Sequence, residues 1–434
     1  MKIFMVILLM MLFIVKKINI QNFLPLMNST PQKKNVLFII ILASFGYFVD
    51  IYDLVIFSIV RVKSFTEIGI SGEAEMLKNT QYVLNMQMAG LLLGGIFWGI
   101  IGDKLGRVKV LFGSILIYSL SNIANAFVHQ IDMYAWIRLI AGIGLAGELG
   151  AGITLISETM SKEKRGYGTM IVATTGVLGA VAAFYISEIT TWRNAYIIGG
   201  ILGLVLLAFR MGTFESKMFK NSQNSEIPRG DIVTLFNTKE RFLRFLKVIL
   251  VGAPIWFLVG ILITLAPEFG KELHATETLS AGKGILYCYI GISLGDLIAG
   301  LLAQILKSRL KTVLIFQVLI ITFATIYLNS ENITPQKFNI LAFLIGIGTG
   351  YWATFATIAA EQFGTNIRAT VATTAPNFVR GLLIPTTFFF NFLAGKTNLI
   401  TSAYITLFLL CTMALISIFT LKETFSKDLD YFET

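Results

Sequence analysis

Long apolar runs separated by short polar connections make up most of this chain. Twelve runs of spanning length can be read, at residues 36–60, 80–101, 110–128, 133–157, 168–188, 193–210, 247–266, 280–304, 311–329, 338–359, 370–394 and 399–421. A helix of about 20 apolar residues crosses the hydrocarbon core of a bilayer. The pattern therefore predicts an all-α membrane protein with twelve transmembrane helices.

The longest polar connection, residues 211–246, separates six runs from six. It predicts a first six-helix half at 36–210, a cytoplasmic central loop, a second half at 247–421 and a tail at 422–434. Residues 1–35 form an N-terminal extension whose apolar run, 3–15, is too short to span. This run is a signal peptide, an interfacial helix or sequence upstream of a true start at Met27. We favour the last, because Lys33 and Lys34 already provide a cytoplasmic lead-in.

The two halves repeat each other in sequence. Glu158 and Arg165 close the fourth run, and Glu361 and Arg368 close the tenth with the same spacing, displaced by 203 residues. A parallel repeat of this kind predicts two pseudo-symmetric halves related by an axis along the membrane normal.

The composition excludes an ordinary soluble protein, since 55% of residues are apolar, 14% are charged and the mean hydropathy is +0.75. The net charge of +10 follows from topology, because 22 Lys and Arg fall on one predicted side of the membrane and 8 on the other. We therefore expect both termini in the cytoplasm and no nucleic-acid partner. The cysteines and histidines form no ligand pattern, and we expect no metal, no cofactor and no enzymatic activity.

A glycine-rich turn joins the second and third runs, reading Gly99-Ile-Ile-Gly-Asp-Lys-Leu-Gly-Arg-Val-Lys109. It resembles the signature loop of the major facilitator superfamily, G-x-x-x-D-[RK]-x-G-R-[RK], although Val108 departs from the last basic position. The matching residues are Gly99, Asp103, Lys104, Gly106 and Arg107. The resemblance implies a conformational latch, which would also include Glu158, Arg165, Glu361 and Arg368. In the second half Gln304 stands where the acid should be, so we expect that half to lack such a charge network.

Three acidic residues lie far from both ends of their predicted helices, where a charge is costly. Asp50 and Asp53 stand one helical turn apart in the first run, and Glu148 lies midway along the fourth. Two ionised carboxylates at that spacing repel each other, which favours a protonated state for one of them. These three acids are our candidates for a proton carrier. Alternatively they form structural ion pairs with Arg138 or Arg380.

Arg380 is the main candidate for a substrate ligand. It occupies the middle of the eleventh run between Pro376 and Pro385, which predict a bent or broken helix. A guanidinium can hold a carboxylate through two parallel hydrogen bonds. The alternative is a permanent ion pair with Asp296. Further candidates for substrate contact are Asn377, Asp296, Tyr351, Trp352 and Arg138.

The run Asp50-Ile-Tyr-Asp53 is similar to the E-W-[YF]-D motif of the metabolite:proton symporters in that superfamily. The segment from Arg138 to Glu148 resembles the same branch, and Glu423-Thr424 is like the ending of sugar porters. The resemblance implies a proton-driven secondary transporter in the cytoplasmic membrane, which we expect to be a monomer. Arg380 predicts that its substrate is a small anionic or zwitterionic metabolite. An uncoupled uniporter, a proton-driven exporter and a transporter-like solute receptor remain alternatives.

Overall fold

A computed structural model describes residues 31–105, 107–148, 165–210 and 235–425. Side chains are not described at 31–39, 102–108, 165–170, 173, 365, 366 and 369. The described helices are α1 Pro31–Ile68, α2 Glu73–Leu105, α3 Arg107–Asn125, α4 Ile131–Leu145, α5 Arg165–Ile189, α6 Trp192–Arg210, α7 Lys239–Phe257, α8 Ala266–Glu272, α9 Ala281–Ile305, α10 Arg309–Leu328, α11 Pro335–Thr349, α12 Trp352–Glu361, α13 Thr365–Gly381, α14 Leu383–Ala394 and α15 Leu399–Thr420. A π-helical segment, Leu258–Ile263, continues α7.

The described part of the chain is helical in all twelve predicted runs, and residues 149–157 of the fourth lie outside it. Eight of these helical stretches are long and apolar enough to span a membrane. Helix α2 begins at Glu73 instead of 80. Among the other ends that were predicted too short, α1 continues to Ile68 instead of 60, and α7 begins at Lys239 instead of 247. Both extensions contain a buried arginine, Arg61 or Arg241, which the hydrophobic pattern takes as a helix end. The boundaries of the central loop stay a prediction.

The fourth and tenth spans are interrupted at equivalent positions. The Gly147 N–H donates to the Gly144 carbonyl oxygen at 3.3 Å, and the Gly350 N–H donates to the Ile347 carbonyl oxygen at 3.0 Å. Both bonds reach three residues back and are displaced by the 203 residues of the sequence repeat. At Gly350 a Cβ would come within 2.5 Å of the Gly295 Cα, so only glycine permits this contact between α9 and α11.

The halves meet where α2 packs against α13 and where α5 packs against α9. On the first of these contacts, a Cβ at Gly95 would lie 2.7 Å from the Asn377 Cβ. The Asn377 side-chain amide also donates to the Ala146 carbonyl oxygen, at 3.0 Å. The interrupted fourth span therefore lies directly beside the eleventh, at the centre of the molecule.

The eleventh span is broken between its two prolines, as the sequence predicted. Helix α13 ends at Gly381 and α14 begins at Leu383, with Pro376 retained inside α13. Arg380 consequently lies in the last turn of α13, at the break.

Candidate substrate and proton site

Arg380 is a buried cation at the interface between the halves, with 1% of its surface exposed. Its Nη1 donates to the Asn377 side-chain oxygen at 3.2 Å, and its Nε has no hydrogen-bond partner among the described residues. The guanidinium carbon lies 5.6 Å from the ring centroids of both Trp256 and Trp352. Two indole faces therefore stabilise a charge that no carboxylate of the described part of the chain neutralises by direct contact.

Asp50 approaches this cation from the first half. It is fully buried, and neither carboxylate oxygen has a hydrogen-bond partner within the described part of the chain. Arg380 lies close enough to the Asp50 carboxylate for the two charges to interact. The hydroxyl of Tyr47, one turn earlier on α1, lies within the electrostatic range of both groups. A buried carboxylate beside a buried guanidinium, without a bond between them, leaves room for a third charged partner.

Asp296 does not form the ion pair with Arg380 that we considered. Its carboxylate accepts the Ala353 backbone N–H at 2.9 Å, at the start of α12. A carboxylate at a helix N-terminus satisfies free N–H groups and interacts favourably with the helix dipole. Asp296 thus stabilises the break between α11 and α12, and Arg380 stays available.

Asp53 faces the interior of the first half, next to Arg138. The Arg138 Nη2 donates to the Asp53 carbonyl oxygen at 2.8 Å, and its other nitrogens donate to the side-chain oxygens of Asn122 and Gln87, at 3.1 and 3.3 Å. Both Asp53 carboxylate oxygens are buried and have no hydrogen-bond partner in the described residues. Arg138 therefore contacts the backbone of Asp53 rather than its carboxylate.

Glu148 forms a buried ion pair whose partner the sequence did not indicate. Arg210, the last residue of α6, donates to both carboxylate oxygens, at 2.8 and 2.6 Å, and also to the Leu42 carbonyl oxygen at 3.3 Å. Arg210 ends the sixth predicted run and was counted among the bases on the cytoplasmic side. Its burial, with 2% exposed, follows from the length of the arginine side chain, which reaches back along the helix.

Two other candidates occupy different positions. The Tyr351 hydroxyl donates to the Val251 carbonyl oxygen and accepts from the Gln317 amide, both at 2.8 Å, inside the second half. That geometry gives Tyr351 a packing role away from Arg380. Trp352 lies beside Arg380, and so does Trp256, which was not predicted because the sequence does not show that α7 packs next to Arg380.

The latch residues are only partly described. Gly106 and Glu158 lie outside the described residues, and the side chains of Asp103, Lys104, Arg107 and Arg165 are also outside, so the latch stays a prediction. Gly99 lies near Thr374 of α13: a Cβ atom at Gly99 would be 3.4 Å from the threonine methyl carbon.

The second half does contain a charge network at this end, contrary to expectation. Arg309 donates to both oxygens of Glu361, at 2.6 and 2.7 Å, whereas Arg368 donates to the Phe363 carbonyl oxygen at 3.3 Å. In the second half, the connection equivalent to the signature loop has Gln304 at the acidic position. Its charge network is formed instead by Arg309, which binds Glu361 of α12.

At the opposite end of the molecule, Arg61 of the first half joins the second. Its Nη1 and Nη2 donate to the two Glu268 carboxylate oxygens at 2.9 and 2.7 Å, and Nη2 also donates to the Thr264 carbonyl oxygen at 2.9 Å. A further bond runs from Nη1 to the Thr80 hydroxyl at 2.9 Å. Arg61 is fully buried, so the halves are held together at this end by a desolvated ion pair. The sequence reading had counted Arg61 as an external loop residue.

Comparison with known proteins now decides the family. The sequence pattern described as Major Facilitator Superfamily matches residues 36–385 of the chain. The chain belongs to the Major Facilitator Superfamily. It is thus a multi-pass secondary transporter of small metabolites and not an enzyme.

Several superfamily members are similar along most of their length. A probable 4-methylmuconolactone transporter from Cupriavidus pinatubonensis is 25% identical over 339 residues, covering 75% of this chain and 76% of its own. The 3-(3-hydroxy-phenyl)propionate transporter of Escherichia coli is 24% identical over 311 residues, with coverages of 68% and 72%. The solved structure of a proton:xylose symporter bound to 6-bromo-6-deoxy-D-glucose has a TM-score of 0.69 at 16% identity, covering 92% of this chain and 98% of that one. That structural likeness concerns the fold.

Proposed function

We propose that the protein is a proton-coupled symporter for a small organic anion, with Arg380 as the anion ligand and Asp50 as the principal proton carrier. The observation that supports this most is the state of Arg380, which is buried between the halves and has, among the described residues, neither a partner for its Nε nor a bonded carboxylate. A fixed charge without a bonded counterion in a membrane interior is costly, and a substrate carboxylate would offset that cost.

Coupling follows from the number of charges at the site. Asp50 and the substrate anion would both interact with one cation, Arg380. With the anion bound, an ionised Asp50 would leave two buried negative charges against one positive charge. Protonation of Asp50 removes that imbalance, so anion binding and proton binding favour each other. Asp53 and Glu148 are secondary proton-coupling candidates, because each carboxylate is buried in the first half.

The relatives suggest which compounds to test first. Their names include 4-methylmuconolactone, niacin, 3-(3-hydroxy-phenyl)propionate and proline/betaine, and each of the four includes a compound with an ionised carboxylate at neutral pH. Flat indole faces beside Arg380 suit a carboxylate on a planar group. We further propose a monomer in the cytoplasmic membrane with both termini in the cytoplasm, on the basis of the distribution of Lys and Arg.

Uptake into proteoliposomes tests the ligand role of Arg380. A thermal-shift screen of these compounds in detergent would select a ligand, whose uptake is then measured with Arg380→Lys. Lysine keeps the charge but loses the two-pronged geometry, so we expect normal folding and apparent affinity weakened about tenfold to a hundredfold. Arg193→Lys, at a partly exposed ion pair with Glu67 in the first half, is the control. Normal affinity in Arg380→Lys, or a neutral or cationic substrate, would defeat the proposal.

Asp50→Asn tests the coupling. An imposed proton gradient should no longer drive accumulation, while exchange of labelled for unlabelled substrate continues, because exchange needs no net proton movement. The exposed Asp132→Asn serves as the matched control. Full accumulation in Asp50→Asn would remove Asp50 as the carrier, and wild-type uptake that ignores the proton gradient and stops at equilibrium without accumulation would indicate a uniporter.

A further inference from the structure

We propose that the first half contains a hydrated chamber, between Asp53 and the Glu148–Arg210 pair, through which protons pass. This inference rests on the proposed proton coupling and adds its route. It begins with a cluster of buried polar atoms that lack hydrogen-bond partners among the described residues. They are the hydroxyls of Tyr118 and Ser119, the side-chain oxygen of Asn125, and the Asp53 carboxylate oxygens with the side-chain nitrogen of Asn122, which lie near each other without a well-formed hydrogen bond.

These atoms are completely buried, and they come from two helices that face the same neighbour. On α6, a Cβ at Gly199 would lie 2.8 Å from the Asp53 Oδ1. One turn further, a Cβ at Gly203 would clash with the Ser119 hydroxyl and lie 2.9 Å from the Tyr118 ring. The two glycines thus form a smooth wall along which the polar groups of α1 and α3 are aligned.

Tyr118 connects this cluster to Glu148. A Cβ at Gly144, one turn before Glu148 on the fourth span, would lie 2.9 Å from the Tyr118 Cβ. The charges of Glu148 and Asp53 both act on the Tyr118 hydroxyl, together with those of Arg210 and Asp50. Tyr118 therefore lies between the two acids and is the intermediate polar group of the route.

The length of the route fits a short chain of water molecules. Glu148 contacts the position of Gly46 on α1, which is seven residues before Asp53. Seven residues of helix rise by about 10 Å. Buried water molecules typically make about three hydrogen bonds to polar groups that have no other partner. Two or three waters, held by Tyr118 and Ser119, bridge that distance.

A water chain accounts for proton movement without any other reactant. The protonated Asp53 carboxyl gives its proton to the first water, and the Glu148 carboxylate accepts a proton from the last. One charge moves and no covalent bond other than O–H is broken or formed. Protonation of Glu148 removes one charge of its ion pair with Arg210, so arrival of the proton weakens the contact between the fourth span and α6.

A metal cation is a poor occupant of the same space. The Arg138 guanidinium forms part of its wall, donating to the side-chain oxygen of Asn122 and to the carbonyl oxygen of Asp53. A fixed positive charge within hydrogen-bond distance of the Asp53 backbone repels a sodium ion but tolerates neutral water.

X-ray radiolytic footprinting tests for the water directly and needs no substrate. Hydroxyl radicals formed from bound water label adjacent side chains even when bulk solvent cannot reach them. We expect Tyr118 to be labelled several times faster than Tyr351, since Tyr351 is equally buried but lies in the second half with its hydroxyl bonded to the Val251 carbonyl oxygen and the Gln317 amide. Equal, slow labelling of Tyr118 and Tyr351 would show a dry chamber and overturn the proposal.

Infrared spectroscopy tests the route. The carboxylic acid band that disappears in Asp53→Asn belongs to Asp53, and its shift after transfer to D₂O measures proton exchange. Tyr118→Phe and Ser119→Ala should each slow that exchange about tenfold, because each removes one hydrogen-bonding group from the chain. Tyr327→Phe is the control, since Tyr327 is also buried with an unpartnered hydroxyl but belongs to the second half.

The outcomes separate the route from the proposed function. Unchanged exchange in both variants would overturn the route even if Asp53 is protonated. If no band belongs to Asp53 at any pH, its role as a proton carrier fails, and the labelling of Tyr118 still decides whether the chamber holds water.

Discussion

The ion pair between Arg61 and Glu268 is expected to act as a gate that keeps this end of the molecule closed. It joins α1 of the first half to α8 of the second, and the arginine is fully buried while the glutamate side chain is 13% exposed. Any movement that separates the halves here must break two hydrogen bonds between charged groups and two more to the Thr264 carbonyl oxygen. Removal of one charge should therefore favour the open form.

The size of the effect follows from burial. Removing one partner of a buried ion pair costs about 3–5 kcal/mol, because the remaining charge is left desolvated and unpaired. This cost applies to the closed form, since the open form exposes Arg61 to water. Glu268→Gln should thus shift the equilibrium between the closed and open forms by roughly two to three powers of ten. Glu268→Asp, which retains the charge, should shift it much less.

The structure supplies a matched control. Lys271 of α8 and Glu73 of α2 form a second ion pair between the same halves, with both side chains more than half exposed. Exposed pairs contribute about 0–1 kcal/mol, so Lys271→Gln should change the population by less than about fivefold. The contrast between the two glutamine variants isolates burial as the cause.

Distances between spin labels measure the gate. Labels at Ser71→Cys in the first half and Thr278→Cys in the second can be placed in lipid nanodiscs, since both positions are exposed and the native Cys288 and Cys411 are buried. We expect Glu268→Gln to lengthen the distance distribution. The exchanged pair Arg61→Glu with Glu268→Arg should restore the short distance at least in part. An unchanged distribution in a stably folded Glu268→Gln protein would refute the gate.

Three further predictions concern the other end and the contact between the halves. Asp103→Asn should cut transport at near-normal expression, and unchanged uptake rates would remove the latch. Burial opposes ionisation of Glu423, but hydrogen bonds from the Ser308 hydroxyl and backbone N–H groups outweigh it and hold the pKa of Glu423 below the usual 4.5. Glu423→Gln should therefore lower the melting temperature at neutral pH, with a difference that shrinks as the pH falls below 4.5, and a pH-independent difference would contradict this. Gly95→Ala should destabilise the protein by about 1–3 kcal/mol through overpacking, whereas Gly300→Ala, with open space around it, should not.

The sequence identified several of the buried charged residues, but not which residues bind them. Asp50, Glu148 and Arg380 were found because a charge inside an apolar run is rare and costly, and that rule needs no geometry. Their neighbours depend on which helices touch. Hydrophobic period identifies the buried face of a helix but not the helix that packs on it, so the Glu148–Arg210 pair could not be read from the chain.

Arg61 was missed for a different reason. A charged residue near the end of an apolar run is normally assigned to the loop, and the run was ended at residue 60. In the structure α1 continues for eight residues beyond that point, and Arg61 is buried because Glu268 and Thr264 supply its hydrogen bonds. The repeat, in contrast, was recoverable from spacing, since the 203-residue displacement reappears in the two helix breaks at Gly147 and Gly350.

The division of charges between the halves explains why proton and substrate would have to move together. Asp50 belongs to the first half and Arg380 to the second, so the energy of closing depends on what lies between them. In an empty site, the negative charge of ionised Asp50 is balanced by the positive charge of Arg380. In a site with a bound anion and a protonated Asp50, the charge of the anion balances that of Arg380. A bound anion beside an ionised Asp50 leaves an excess negative charge, which resists the desolvation that closure at Arg61 and Glu268 requires. Only the two balanced forms can then cross, and this restriction is what obligatory symport requires.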